Sequence, residues 1–272
     1  MMSSSGGWPL HRSDHGGWAV GVDFAAVKRF LLLLVLLFVA AEGFAAEPYV
    51  RFGLARESSR DAVVVDRDCA STEPPALFGC GFGARGEFGD ATAFELAAGA
   101  EGTRVRVELA VTERRGFRLR ANANFTDAGD EQPVRADASS RAAMLIASID
   151  IAPDTWLIRP FVSIGAGMAR NELDTTTYEF PGLSTGALTI VPGGTNDAFA
   201  FTAAAGASVQ VATGLYVDLE ARYNDLGEFR SEAGEAVIVR ADRTLRIPID
   251  ATRADLRTSG IALSIRWRLG KP

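Results

Sequence analysis

The sequence predicts an all-β protein: a closed, eight-stranded, antiparallel, up-and-down transmembrane β-barrel, preceded by a helical signal peptide. Apolar and polar residues alternate with period two over eight segments, which is the pattern of strands with one apolar face. Long and short connections alternate between these segments, as they do in outer-membrane barrels. An apolar run near the N-terminus follows Lys28 and Arg29 and has the form of an export signal.

Composition narrows the class of protein further. The chain has 272 residues, of which 47% are hydrophobic, as expected for a globular protein or for a barrel whose strands are half apolar. Its net charge of −6 argues against a nucleic-acid partner, which usually requires a basic surface.

The signal peptide is the first element in the chain. Its apolar run, residues 30–41, is followed by small residues, so we expect cleavage near Ala45 or Ala46. A membrane-spanning helix would need about twenty apolar residues, so a permanent anchor is the weaker interpretation. The predicted organisation is a leader and signal peptide over residues 1–46 and a barrel over residues 47–272.

The leader is unusually long and holds both histidines of the chain, His11 and His15. We interpret residues 1–27 as the product of a misassigned start codon, with translation beginning near Val22 or Val27. Outer-membrane barrels that act as enzymes use a histidine as base or nucleophile partner. Because the predicted mature chain has none, the sequence predicts that it is not an enzyme.

The eight strands follow from the alternation in chain order. The hairpin at residues 198–227 shows it most clearly, with apolar residues of one parity on both sides of a turn at residues 212–214. The predicted strands are residues 49–56, 91–100, 104–111 continuing toward 125, 143–151, 156–170, 198–211, 215–223 and 257–269. The predicted extracellular loops are approximately residues 57–91, 116–140, 171–197 and 225–256.

A register prediction follows for the hairpin around the second loop. If its tip is centred on Ala128, Arg115 lies opposite Arg141. Both would stand on the otherwise apolar face and mark the level at which the strands leave the lipid. A pairing offset by one residue would break this relationship.

Period two alone does not say whether the apolar face meets lipid or an internal core. A soluble, exported, lipocalin-like binding barrel would turn this face inward. Aromatic residues on the apolar parity favour lipid outside, because they gather at both strand ends as interfacial girdles do. Tyr49 and Tyr216 are exceptions on the inward parity. The predicted girdle residues are Phe94, Phe125, Phe199, Phe201 and Tyr223 near the loops, with Trp156 and Trp267 at the opposite ends.

The opposite parity carries charges of both signs, which a closed lumen would need to pair. An eight-stranded barrel is just wide enough to be filled by its own side chains. We therefore predict a plugged barrel in place of a diffusion pore. The predicted lumen network consists of Arg51, Glu95, Arg104, Arg106, Glu108, Asp150, Arg159, Asp218, Glu220, Arg222, Arg266 and Arg268.

The two cysteines, Cys69 and Cys80, are predicted to form a disulfide, since an even count in an exported chain indicates pairing. The chain-entropy model assigns such a loop about 2–3 kcal/mol. A pair of metal-binding thiols is the alternative, but no histidine lies nearby. The acidic residues 65–68 lack the spacing of a calcium loop. No metal site and no cofactor is predicted.

Two segments carry a family resemblance. Residues 160–167, with 169–171 after them, resemble the fifth strand of opacity-type, OmpA-like eight-stranded outer-membrane barrels, and residues 217–227 resemble the seventh. The usual terminal aromatic is displaced here, because Trp267 is followed by residues 268–272. The resemblance implies an integral outer-membrane protein whose loops serve adhesion, surface recognition or envelope integrity.

Three functions remain open at this point. The first is a structural or surface-recognition barrel acting through its loops; the second is a small channel for small or apolar solutes; the third is the soluble binding barrel. The expected partners are outer-membrane lipid and lipopolysaccharide, the outer-membrane assembly machinery, and a host or surface ligand of the loops.

Overall fold

The computed structural model describes residues 46–125, 128–129, 131–153 and 156–269. The predicted leader and signal peptide lie outside these residues, except for residue 46. Within the described part of the chain there is no helix that is long and apolar enough to cross a membrane. The strands there are β1 Glu47–Ser59, β2 Ala62–Asp66, β3 Ala84–Glu87, β4 Gly89–Glu101, β5 Val105–Ala123, β6 Pro133–Asp150, β7 Ile158–Leu173, β8 Thr176–Glu179, β9 Leu188–Val191, β10 Gly194–Ala212, β11 Leu215–Arg230, β12 Gly234–Val239, β13 Thr244–Ile249 and β14 Thr252–Arg268.

Eight long strands close into a barrel. Antiparallel pairing runs from β1 through β4, β5, β6, β7, β10, β11 and β14, and β14 pairs back with β1. Following paired residues once around the ring leads from Trp267 to Arg257, ten residues away on the same strand. This stagger tilts the strands by roughly 40°. The predicted eight-stranded antiparallel barrel is confirmed.

Over the half of the barrel nearest the short connections, the outward face is apolar and the inward face is charged. On β14, Ile265 is 52% exposed whereas Arg266 is 0% exposed. The lipocalin-like alternative required the opposite arrangement, so it is wrong for this part of the fold. Other outward residues of this apolar belt are Phe52, Leu54, Leu96, Val111, Leu145, Ile164, Leu219, Ile261 and Leu263.

Beyond the belt the outward face of the strands becomes polar and the inward face becomes apolar. Strand β5 shows where this change occurs. Arg114 points inward, but a bulge at Gly116, whose φ is +98°, shifts the register before Phe117. Phe117 is then buried and Arg118 is exposed. A positive φ is readily adopted by glycine and rarely by other residues, so the sequence permits the inversion at this position.

This bulge corrects the predicted register. Arg115 pairs with Ser139, and Arg141 pairs with Glu113, so the predicted pair of Arg115 with Arg141 is wrong by two residues. The prediction assumed a hairpin without a bulge, centred on Ala128. Both arginines nevertheless stand on the outer face, and both donate to Glu113.

The segments predicted as loops also form strands. The connection predicted at 116–140 shrinks to residues 124–132, because β5 and β6 extend to either side of it. The short strands β2, β3, β8, β9, β12 and β13 continue the sheet beyond the barrel. We call this part the head; it comprises the described portions of residues 60–88, 117–137, 174–193 and 226–256.

The head has an apolar interior, unlike the charged lumen below it. Phe88 packs on Phe229 with ring centroids 4.7 Å apart, and both are fully buried. Phe125 stacks on Phe78 at 5.1 Å within the same cluster. The predicted place of Phe125 in the outer girdle is therefore wrong, because the inversion at Gly116 turns this parity inward.

Candidate functional site

The lumen end near the short connections is organised around Arg266. It donates to Asp218 at 3.1 Å and to Ser208 at 2.9 Å, and it is also paired with Glu101. The Tyr216 ring lies 4.4 Å from the Arg266 guanidinium and 4.7 Å from that of Arg268. Tyr216 therefore lies on the inward parity as a cation–π partner of stacked arginines.

Two further arginines complete this level of the lumen. Arg106 lies 3.0 Å from Asp150 and stacks over Phe161 at 4.5 Å. Arg159 stacks over Tyr216 at 4.8 Å and lies 3.7 Å from Asp150. The cations thus meet aromatic faces as well as carboxylates, which suits a site removed from water.

The middle level is built around two glutamates. Arg51 is paired with Glu108 and lies 2.6 Å from Glu95. Arg222 donates to Glu95 at 2.7 Å. Tyr49 donates to Glu108 at 2.8 Å, which explains why this second tyrosine is on the inward parity.

The third level lies where the lumen meets the head. Arg114 donates to Glu57 at 2.7 Å, and Thr258 donates to the same carboxylate at 2.8 Å. Asn171 donates to the backbone carbonyl of Leu226 at 2.8 Å, and so connects β7 to the bulged end of β11. Polar contacts therefore continue up to the point where the apolar core of the head begins.

The charges of the lumen balance, and they fill it. Its seven arginines face seven carboxylates, and a cavity at the middle level, lined by Arg51, Glu95, Glu108 and Arg222 among others, has a volume of about 20 Å³, room for about one water molecule. The lumen network so defined consists of Arg51, Arg106, Arg114, Arg159, Arg222, Arg266 and Arg268 with Glu57, Glu95, Glu101, Glu108, Asp150, Asp218 and Glu220.

Eleven of the twelve residues predicted for the lumen lie in this network. Arg104 does not: it is exposed in the turn before β5, which begins at Val105. Its position in the alternation is an inward one. Because β5 begins only at Val105, however, Arg104 lies beyond the end of the strand and outside the lumen. Sequence reasoning missed Glu57, Glu101 and Arg114, although each continues the inward parity of its strand.

The outer aromatic residues lie at the two ends of the apolar belt. Toward the head, Phe94, Phe199, Phe201 and Tyr223 are exposed on the outer face. Near the short connections Trp156 and Trp267 are 59% and 58% exposed. The predicted girdle residues other than Phe125 therefore stand on the outer face at these two levels, and their place at the membrane interfaces stays a prediction.

The first long connection is held in the head by a disulfide and a carboxylate. Cys69 and Cys80 form the predicted disulfide. Asp66 accepts the backbone N–H groups of Leu77, Phe78 and Gly79 at 2.7–2.9 Å. Burial raises the pKa of the Asp66 carboxyl above its ordinary value, while these three N–H donors act in the opposite direction.

The described residues contain no group of three or more His, Cys, Asp or Glu side chains suited to a metal ion. Both histidines of the chain lie outside the described residues. The charged groups of the lumen are engaged with one another, so the arrangement serves to pair charge and to fill space.

An apolar outer belt, aromatic ends and a charged, closed lumen define an integral membrane protein of the outer-membrane barrel class. The outer membrane protein beta-barrel domain family matches residues 30–268, and the chain belongs to that family. The protein is thus an eight-stranded barrel of the outer membrane.

Solved structures with similar folds are distant in sequence. Neisserial surface protein A is 13% identical, with a TM-score of 0.43 over 82% of this chain and 97% of that one. OprG from Pseudomonas aeruginosa is 12% identical, with a TM-score of 0.47 and the same two coverages. The outer membrane protease OmpT from Escherichia coli is 11% identical, with a TM-score of 0.45 and again the same coverages. No curated protein sequence matches this chain.

Proposed function

We propose that this protein is a non-conducting, non-enzymatic barrel that displays the head at the cell surface for recognition. The observation that carries the proposal is the combination of a lumen occupied by paired charges, with a cavity of about 20 Å³ at its middle level, and an ordered head beyond the membrane belt. A lumen filled by paired side chains supports a role other than diffusion through the barrel. What the barrel then supplies is a rigid base for the head.

The head carries apolar side chains that are not used in its own core. Leu183 is 46% exposed, Leu245 is 43% exposed, and Phe82 and Ile247 are each 37% exposed. Leu245 and Ile247 lie on β13, whereas Phe82 and Leu183 lie in connections of the head. Exposed apolar side chains of this kind can serve as contacts for a protein partner. We therefore propose a protein partner for the head.

Planar-bilayer recording tests the barrel half of this proposal. The refolded protein is expected to give no steady unitary current, because an ion cannot pass a paired and filled lumen. Reproducible steps at neutral pH would instead support the channel alternative. As a positive control, Arg51→Ala combined with Glu108→Ala removes the Arg51–Glu108 pair, the contact of Arg51 with Glu95 and the volume of both side chains, and should leak more than the wild type.

Cell adhesion tests the recognition half. Expressing cells are applied to immobilised serum and matrix proteins, and the wild type is compared with a variant in which Phe82, Leu183, Leu245 and Ile247 are all serine. We expect at least a fivefold loss of bound cells with equal surface expression, on the scale of two or more interface anchors. Equal adhesion of both strains would exclude these four side chains as the contacts of the partner.

A further inference from the structure

Strand β13 forms an open edge of the head sheet. In the part of the chain that the structure describes, β13 pairs with β12 on one side and with no strand on the other. Residues 244–248 are all exposed, on both faces of the strand. Backbone groups along such an edge can pair with another extended chain.

The backbone of β13 alternates between the paired side and the open side. At the hairpin tip the N–H of Arg240 donates to the carbonyl of Arg243, so residue 243 faces β12 and residue 244 faces away from it. Thr244, Arg246 and Pro248 therefore turn their backbone groups to the open side. Because Pro248 has no N–H, this side offers two donors and three acceptors within about 14 Å.

The end of this edge nearest the barrel is already covered by the chain itself. The N–H of Asp250 donates to the carbonyl of Pro75 at 2.9 Å, and the N–H of Arg67 donates to the carbonyl of Ala251 at 2.8 Å. Immediately beyond them β2 pairs with β14. The open edge at residues 244–248 therefore continues a line of pairing that the first long connection fills up to Pro75.

The apolar inner face of the head sheet also ends uncovered at β13. Ala236 of β12 is fully buried in the core of the head, but Ile247, which lies opposite it, is 37% exposed. Leu245, opposite Ile238, is 43% exposed on the same face. A strand added to β13 would cover these two side chains with its own apolar residues while its backbone extends the ladder.

The outer face of β13 favours an acidic residue in such a strand. Arg246 lies on this face, 3.4 Å from Glu235 of β12. Because Glu235 is on the paired side, a carboxylate on the open side would continue a row of alternating charge across the sheet. A second copy of β13 is a poorer occupant, since it would bring another Arg246 and another Pro248 into the same short ladder.

We propose that the open edge at residues 244–248 binds an extended segment of a partner protein as an added β-strand. The segment carries an acidic residue opposite Arg246 and an apolar residue on each side of it. The inference rests on the proposed protein partner of the head and states how that partner is held. Backbone hydrogen bonds along Thr244 and Arg246 provide affinity, and the alternating side chains provide specificity.

The first test measures binding of an end-capped fluorescent peptide, threonine–valine–glutamate–valine–threonine, to the folded, detergent-solubilised protein by fluorescence anisotropy. Arg246→Pro removes a donor from the open side and places the proline ring there, so binding should weaken at least about tenfold. Arg246→Gln removes the charge but keeps the donor, so binding should weaken only about twofold. Equal weakening in the two variants, or no saturable binding to the wild type, would overturn the proposal.

A second measurement needs no change in the barrel and so does not depend on the folding of a variant. N-methylation of the glutamate in the peptide removes the N–H that donates to β13 in the ladder and leaves every side chain as it is. The wild-type protein should bind the methylated peptide at least about tenfold more weakly. Equal affinity for the two peptides would show that side chains alone hold the peptide and would contradict an added strand.

Adhesion of expressing cells separates this inference from the proposed function. The Arg246→Pro strain should lose adhesion as the variant with four serines does, and the Arg246→Gln strain should keep most of it. If the four-serine variant loses adhesion but Arg246→Pro adheres as well as Arg246→Gln, the head has a protein partner that is not held as an added strand, and this inference alone fails. If the four-serine variant adheres like the wild type, the proposed function itself is contradicted.

Discussion

Arg114 donates to Glu57 across 2.7 Å at the junction of lumen and head, and both side chains are withdrawn from solvent. The pair connects β5 to β1, strands that do not hydrogen-bond to each other through their backbones because β4 lies between them. It therefore crosses the interior of the barrel. Below it the interior is charged, and above it the interior is apolar.

Removing one member of this pair should be costly. Arg114→Met leaves the buried Glu57 carboxylate with only the more distant Arg222, 3.9 Å away, so we expect a loss of about 3–5 kcal/mol in the free energy of unfolding. The measurement is urea unfolding in lipid vesicles, followed by tryptophan fluorescence. Arg246→Met, at an exposed pair 3.4 Å from Glu235, should change the same quantity by less than about 1 kcal/mol. Similar losses in the two variants would contradict the buried role of Arg114.

Asp66 should make the stability of the head depend on pH in a defined direction. Its pKa is raised in the folded protein, so the folded state binds the proton more tightly than the unfolded state does. Its contribution to stability therefore grows as pH falls through that pKa and declines as pH rises. Asp66→Asn keeps an acceptor for the loop N–H groups and cannot titrate.

Thermal unfolding of wild type and Asp66→Asn at pH 7 and pH 4 measures this effect. The wild type should gain stability relative to the variant on acidification, and a relative loss would contradict the assignment. Asp66→Ala leaves the N–H groups of residues 77–79 without their acceptor and should cost about 1–3 kcal/mol at both pH values.

Pro248 should protect the free edge of the head sheet. Among the described strands, β13 pairs with β12 alone. Arg240 donates its N–H to the carbonyl of Arg243 at the tip, and because hydrogen-bonded and non-hydrogen-bonded pairs alternate from there, the nitrogen of Pro248 points to the open side. Proline there withholds a donor from any incoming strand.

Replacing this proline should promote association of the protein. Pro248→Val adds an N–H at the edge, so we expect oligomers in sedimentation velocity of the detergent-solubilised protein where the wild type is monodisperse. Thr244→Val raises β-propensity on the same strand without adding a donor and should remain like the wild type. Monodisperse Pro248→Val protein would show that the edge is blocked by another feature.

The barrel could be predicted from the sequence because, over the membrane belt, each long strand alternates apolar residues that point outward with polar residues that point inward. Period-two alternation located all eight long strands, and parity separated Ile265 from Arg266. This alternation follows from the two environments of every strand, with lipid on the outer side and paired charges on the inner side. Turn signals then gave the order of long and short connections.

The head could not be predicted in the same way, because the meaning of each parity reverses there. Once the strands leave the lipid, water is outside and the apolar residues turn inward, so a continuous strand carries a broken pattern. Gly116 is the point of this break on β5. For that reason the alternation places Phe125 in the outer girdle, and the register that it predicts for Arg115 differs from the observed one by two residues. The predicted strand ends are also wrong: the sequence pattern indicates a loop at Glu57, a turn at Glu101 and a strand at Arg104, whereas β1 and β4 include the two glutamates and β5 begins after Arg104.

A nitroxide scan of β5 tests the central claim most directly, because this strand passes through both environments. Single labels placed from Val105 to Ala123 in protein reconstituted into vesicles are exposed to oxygen, which concentrates in lipid, and to a water-soluble nickel reagent. Oxygen contact should be high at odd positions up to Val111, and nickel contact should be high at even positions from Arg118 onward. Odd positions that remain the accessible ones through Ala123, or nickel contact at Arg106 and Glu108, would contradict the account.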